Sequence, residues 1–138
     1  MKIEIRNDLT VREFNELITS LGWGNKGKHI IENAFKNSVI IKKALYDNEI
    51  VGMARVIGDG VYYLVVDVVV KPKYQGYGIG KIMMDEIVWE IEDKTEEGQS
   101  SSIVLIANEG KEGFYEKCGF IKVPFEYSGY GMMKRIDK

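Results

Sequence analysis

The stretch VVVKPKYQGYGIGKIM, residues 68 to 83, takes an all-valine strand end through a loop with glycine at 76, 78 and 80 and straight into a helical pattern. Such a junction stacks a helix on a sheet and fixes how the chain leaves the strand. The glycines remove the Cβ atoms that would stand between backbone and ligand. They also allow angles that aim several N–H groups into one space at a helix N-terminus, which suits phosphate. Two common phosphate loops do not fit. A Walker A loop needs glycine where Gln75 stands and serine or threonine where Ile82 stands, and a dinucleotide fingerprint read from Gly78 needs glycine where Met83 stands. What remains is Gln75-x-x-Gly78-x-Gly80 between a strand and a long helix.

The rest of the chain surrounds this junction with a mixed sheet. KIEIR is a short alternating strand, and Thr10 caps a helix through Phe14, Leu17, Ile18 and Leu21, with Glu13 completing a capping box. A second helix is predicted over about residues 27 to 36, with Ile30, Ile31, Ala34 and Phe35 as its apolar stripe. Residues 39 to 46 and 49 to 57 flank Asp47-Asn48 as a hairpin, and the GDG turn leads into VYYLVVDVVV. That run is nearly continuously apolar, which predicts a central strand covered on both faces and ended by Pro72. Ile79, Ile82, Met83, Ile87, Val88 and Ile91 predict a helix over about 78 to 94. SSIVLIAN is then a buried strand reached by a right-handed crossover, parallel to its neighbour. EGKEGFYEKCGF reads as a short helix, and FIKVP and YGMMKRI as final strands. The expected architecture is α/β: one domain over residues 1–138, with a mostly antiparallel twisted sheet, one parallel pair and helices on both faces.

Composition narrows the partners. Nineteen basic and twenty-one acidic side chains leave a net charge of −2. No global positive field therefore argues for nucleic acid or an anionic membrane surface. Cys118 is the only cysteine and His29 the only histidine. That excludes an internal disulfide and leaves few soft ligands, so no metal is expected. The start MKIEIRNDLT lacks a basic stretch followed by an apolar one, and no apolar run approaches the roughly 20 residues that span a bilayer. A cytoplasmic protein is expected.

DVVVKPKYQGYGIGKIMM resembles the acyl-CoA signature of the GNAT superfamily of N-acetyltransferases: glutamine or arginine, two residues, glycine, one residue, then glycine or alanine. GFYEKCGF follows at the family's distance, and the order of elements is similar from about residue 2 to 136. The resemblance implies acetyl-CoA as co-substrate. It assigns Gln75, Gly76, Tyr77, Gly78, Ile79, Gly80 and Lys81 to its pyrophosphate. Val68, Val69 and Val70 would offer backbone groups to the pantetheine arm, and an N–H at or beside Val68 would face the thioester oxygen. It also makes Tyr115 the acid that protonates the departing thiolate. Asn108 would hydrogen-bond the coenzyme, or the start of the following helix.

The general base is where this chain departs from its relatives. The resemblance places glutamate or histidine where Leu64 and Val66 stand, and Asp67 is the nearest carboxylate. Strand alternation turns Asp67 away from them unless a bulge re-aims it, so it is either a base or substrate anchor, or a paired structural carboxylate. Water relayed from backbone carbonyls, Tyr62 or Tyr63 is the alternative base. Trp23, on the connection that walls the acceptor pocket in the family, either binds substrate or packs in the core. His29 reads as a surface or capping residue, and Cys118 has no neighbouring histidine for nucleophilic work. Phe114 and the methionines at 83, 84, 132 and 133 read as core. The expected activity is acetyl transfer to a primary amine of a small molecule. The alternatives are a peptide or protein acceptor, or an acyl-CoA sensor without chemistry. A homodimer through YGMMKRI is also possible on this reading.

Overall fold

In the computed structural model, which describes residues 1–138, five strands form one sheet in sequence order. They are β1 (Ile3–Arg6), β2 (Ile40–Tyr46), β3 (Glu49–Gly58), β4 (Tyr62–Val70) and β5 (Ser102–Val104). Neighbours pair antiparallel except β4 and β5, which are parallel. Three helices belong with them: α1 (Val11–Ser20), α2 (Lys28–Lys36) and α3 (Ile79–Lys94). The sheet and these helices lie in one compact unit, Met1–Leu105; Ile106–Lys138 forms a second, which holds α4 (Glu112–Lys117).

Local chemistry explains the elements. Thr10 Oγ1 accepts the Glu13 N–H at 3.1 Å, and the Glu13 carboxylate accepts the Thr10 N–H at 2.9 Å, closing the capping box that starts α1. Asp47 and Asn48 turn between β2 and β3 with φ of +50° and +63°, the left-handed pair that a two-residue hairpin needs. Asp59 Oδ1 accepts the N–H groups of Val61 and Tyr62 and sets the turn into β4.

Helices cover both faces of the sheet. On one face Phe14, Leu17, Ile18 and Ile31 from α1 and α2 pack with Leu45, Ile50, Met53 and Val69. On the other, a Cβ added to Gly52 would meet Met83 and Ile79 of α3 at 3.1 and 3.5 Å. Two adjacent buried lysines of β2 report the same alternation. Lys42 reaches Glu90 of α3 at 3.1 Å, whereas Lys43 reaches Glu13 of α1 at 3.0 Å. Burial tends to raise the Glu13 carboxyl. The hydrogen bonds from Thr10 and Lys43 outweigh it and hold Glu13 below the usual carboxylate range.

Several expectations are corrected. β5 spans three residues rather than all of SSIVLIAN, and neither FIKVP nor YGMMKRI forms a strand; α4 is the last regular element. Met132 and Met133 are exposed, and Phe114 is half-buried rather than core. β4 is not covered on both faces: Tyr63 and Val65 are buried, but Tyr62 and Leu64 are exposed. Ile30 is also exposed, so the α2 stripe is narrower than its spacing suggests.

Candidate active site

β4 and α3 meet through the glycine loop. A single 3₁₀ turn at Pro72–Tyr74 follows β4, and its foot is braced by charge. Lys71 pairs with Glu16 of α1 and Glu49 of β3, and the Tyr74 hydroxyl donates to Glu49 at 2.6 Å. The hydrogen bond to that carboxylate pushes the Tyr74 phenol up to about 12 and draws Glu49 down. Gln75 closes the turn, its side-chain amide donating to the Val70 carbonyl at 2.9 Å. The loop is thereby pinned to the strand end.

Gly76 and Gly78 take φ of +86° and +82°, where an L-residue is strained, and Gly78 is the N-cap of α3. A Cβ built on either would have no heavy atom within 4 Å. The protein itself therefore does not need these positions bare for packing; the backbone angle and the open space in front of it are what require glycine. The N–H groups of residues 77 to 80 have no acceptor within the chain. With the positive end of α3 they form a cluster of donors able to hold a pyrophosphate. Tyr77 is exposed beside it, Ile79 is buried under the helix, and Lys81 pairs with Asp85 at 2.8 Å. Two surface hollows of about 460 and 510 Å³ lie elsewhere on this unit, and no residue assigned from the sequence lines them.

The strand before the loop has two further features. Its ladder with β5 covers only Tyr62 to Leu64, so residues 65 to 70 have no strand partner on that side. Val68, Val69 and Val70 lie in this stretch. A bulge sits at its start: Val66 pairs with Arg55 and Val69 with Met53, which sets Asp67 and Val68 against Ala54 alone. Asp67 takes φ of +52° there.

The bulge re-aims Asp67, but onto a partner within the protein. Its carboxylate accepts from Arg55 Nε at 2.6 Å, and the same guanidinium donates to Ser38 Oγ at 3.2 Å. Of the two roles set out for Asp67, the geometry is that of the paired structural carboxylate. Arg55 and Ser38 were missed because their meeting depends on cross-strand register, which no local pattern records. Trp23 is half exposed, so core packing is corrected, and it is on the surface between α1 and α2.

Tyr115 and Asn108 belong to the second unit. Tyr115 is half-buried on α4, its ring edge-on to Phe114 at 4.9 Å and Phe120 at 6.2 Å. Burial, with a smaller contribution from Cys118, raises its phenol above the ordinary value and keeps it protonated. Asn108 is exposed in the turn before α4, and its carbonyl accepts the Lys111 N–H at 2.9 Å.

Comparison with known proteins decides the family. The model of the GNAT acetyltransferase domain matches residues 37–122. The chain belongs to the GNAT acetyltransferases. An uncharacterized N-acetyltransferase, ycf52, of Pyropia yezoensis is 31% identical over 85% of this chain and 68% of its own length. The chloroplastic serotonin N-acetyltransferase 2 of Oryza sativa is 31% identical over 84% of this chain and 58% of its own. Among solved structures, a GNAT-family acetyltransferase of Streptococcus pneumoniae superposes with a TM-score of 0.76 at 27% identity, covering 99% of this chain and 98% of that one.

Proposed function

We propose that this GNAT acetyltransferase transfers the acetyl group of acetyl-CoA directly to a primary amine of a small molecule. The observation that carries the reading is the pair of left-handed glycines with open space before them, at the positive end of α3 and next to a β4 edge without a strand partner. The fit to the co-substrate rests on chemistry this chain supplies. Amides of residues 77 to 80 bind the pyrophosphate, and backbone groups of Val68 to Val70 hold the pantetheine arm as an added strand would. Bound acetyl-CoA supplies the activated acyl group.

The residues then do three things. The bulge between Val66 and Val69 turns a backbone N–H toward the thioester oxygen, where charge develops as the amine attacks. Tyr115 gives its proton to the leaving sulfur, a role suited to a phenol that burial keeps neutral. Asp67, tied to Arg55, holds the bulge in shape, so water takes the proton of the incoming ammonium. Similarity to an enzyme named for serotonin, a small amine, supports a small acceptor over a peptide. The test is release of free thiol from acetyl-CoA across a panel of small amines and lysine-containing peptides. Turnover confined to small amines is expected; turnover confined to peptides overturns the acceptor class.

A further inference from the structure

The glycine loop has little of its own to hold it. Gly78 caps α3 without a side-chain hydrogen bond, and the amides of residues 77 to 80 have no acceptor within the chain. Glycine-rich backbone loses more freedom on ordering than any other, so the shape of this loop is set by whatever grips its two ends. Downstream, Ile79 anchors the first turn of α3 in the core. Upstream, the grip comes from another part of the sheet. Glu49 is the first residue of β3, just past the Asp47-Asn48 turn, and its carboxylate meets the segment between β4 and the loop at three residues. Oε2 accepts from the Tyr74 hydroxyl at 2.6 Å, and Oε1 lies 3.3 Å from Lys71 Nζ and 3.9 Å from Lys73 Nζ. Tyr46, across the turn from Glu49, sets its ring 5.9 Å from that of Tyr74, and the Val51 carbonyl accepts the Lys71 N–H at 2.9 Å. The hairpin end of β2 and β3 and the 3₁₀ turn thus form one bracket that stops just short of Gly76.

We propose that Glu49 is a positioning residue for the coenzyme: by holding Lys71, Lys73 and Tyr74 it presets the angles at which the loop amides meet the pyrophosphate. This role rests on the proposed binding of acetyl-CoA and says what keeps that site in shape before the ligand arrives. Two observations favour it over an ion cluster that only stabilises the fold. The Glu49 side chain is 40% exposed and that of Lys73 68%, and ion pairs so open to water add little to folding stability. The bracket also grips only the link from Val70 to Gly76, where a small shift would carry the amides away from a phosphate and leave the core intact. Charge by itself makes the opposite prediction. A carboxylate near a phosphate site opposes the ligand, and its removal would release Lys73 and loosen Lys71 to attract it. On charge alone, losing Glu49 tightens coenzyme binding; as a positioning residue, losing it weakens binding.

The experiment measures the acetyl-CoA Kd by titration calorimetry in the wild type, Glu49→Ala, Glu49→Gln, Tyr74→Phe and Glu49→Ala/Tyr74→Phe. Thiol release with the amine that turns over best gives kcat and the acetyl-CoA KM. Thermal melts show that each variant is folded, and Thr10→Ala, which breaks the capping box of α1, shows how far lost stability alone moves Kd. The expected result for Glu49→Ala is a Kd and KM raised about fivefold or more, with kcat at saturating acetyl-CoA within about twofold of wild type. Tyr74→Phe should give a smaller rise, and the double variant should be no worse than Glu49→Ala, because both changes break one contact. Glu49→Gln, which keeps an acceptor for the Tyr74 hydroxyl, should fall between wild type and Glu49→Ala. A Kd in Glu49→Ala that is unchanged, lower, or raised no more than in Thr10→Ala overturns the role of Glu49 and leaves acetyl transfer standing. Strictly additive losses in the double variant also overturn it, since Glu49 would then not act through Tyr74. If Glu49→Ala does not fold, Tyr74→Phe decides, and an unchanged Kd there overturns the role. A wild-type protein that acetyl-CoA does not stabilise at all removes the transferase reading, and this role with it.

Discussion

Replacing Gly78 with alanine separates the ligand-facing role of the loop from its structural one. Gly78 caps α3 at φ +82°, and a Cβ there meets nothing within 4 Å. The folded protein therefore bears only the cost of an L-residue in the left-handed region, about 1–2 kcal/mol, with no overpacking to add. For a chain of this size that lowers Tm by roughly 3–10 °C. The ligand bears more. The added methyl occupies the space in which a phosphate would meet the amides of residues 77 to 80, and losing one such charged hydrogen bond costs about 1.5–3 kcal/mol. The acetyl-CoA Kd should rise about 10- to 100-fold. Isothermal titration and thermal melts on the same preparations read both numbers. Gly58→Ala is the control, since its Cβ would press the Tyr62 carbonyl at 2.6 Å and the Tyr63 ring at 2.7 Å. It should lose stability and keep its Kd. A Gly78→Ala protein that melts lower but binds acetyl-CoA within twofold of wild type would refute the assignment of the loop to phosphate.

Tyr115→Phe should lower kcat by about 10²-fold with little change in Tm, measured by thiol release; an unchanged kcat would remove Tyr115 as the acid. Because burial raises its phenol, the protonated acid persists to higher pH in the folded enzyme, and the alkaline fall in wild-type kcat should lie above pH 10 and vanish in Tyr115→Phe. Thr10→Ala breaks the capping box and should cost about 1 kcal/mol in urea unfolding, while Val11→Ala should leave the box intact. Arg55→Leu strands the half-buried Asp67 carboxylate and should cost about 1–3 kcal/mol, with Arg55→Leu/Asp67→Leu recovering part of it; additive losses would show that the pair is not coupled.

Much of the fold was legible because its signals are local. The capping box at Thr10 and Glu13 and the left-handed Asp47-Asn48 turn depend on residues close in sequence and appear where their patterns lie; so does the α3 helix, although Ile82, counted in its apolar stripe, is exposed while Ile79, Met83, Ile87 and Ile91 are buried. The glycine loop was legible for the same reason, since Gly76 and Gly78 are required by backbone angle alone. What was not legible depends on register or on what covers a face. Continuous hydrophobicity in VYYLVVDVVV predicted a strand buried on both sides, but α1 and α2 reach only its far end, leaving Tyr62 and Leu64 bare. The role of Asp67 turned on a bulge that shifts β4 by one residue against β3, and on an arginine twelve positions earlier. Ile121, Val123, Tyr130 and Met132 alternate as strands would, yet a strand needs a partner edge as well as a pattern, and these residues stay exposed outside any ladder.

A titration of the wild-type protein with acetyl-CoA, followed by thermal melting at each concentration, tests the central claim most directly. The account predicts a Tm that climbs with the logarithm of ligand once its concentration exceeds Kd, as mass action on a site in the folded state requires. Thiol release from the same samples should follow when an amine is added. A Tm that does not move at millimolar acetyl-CoA would contradict the account, because the open amides of residues 77 to 80 would then hold no coenzyme.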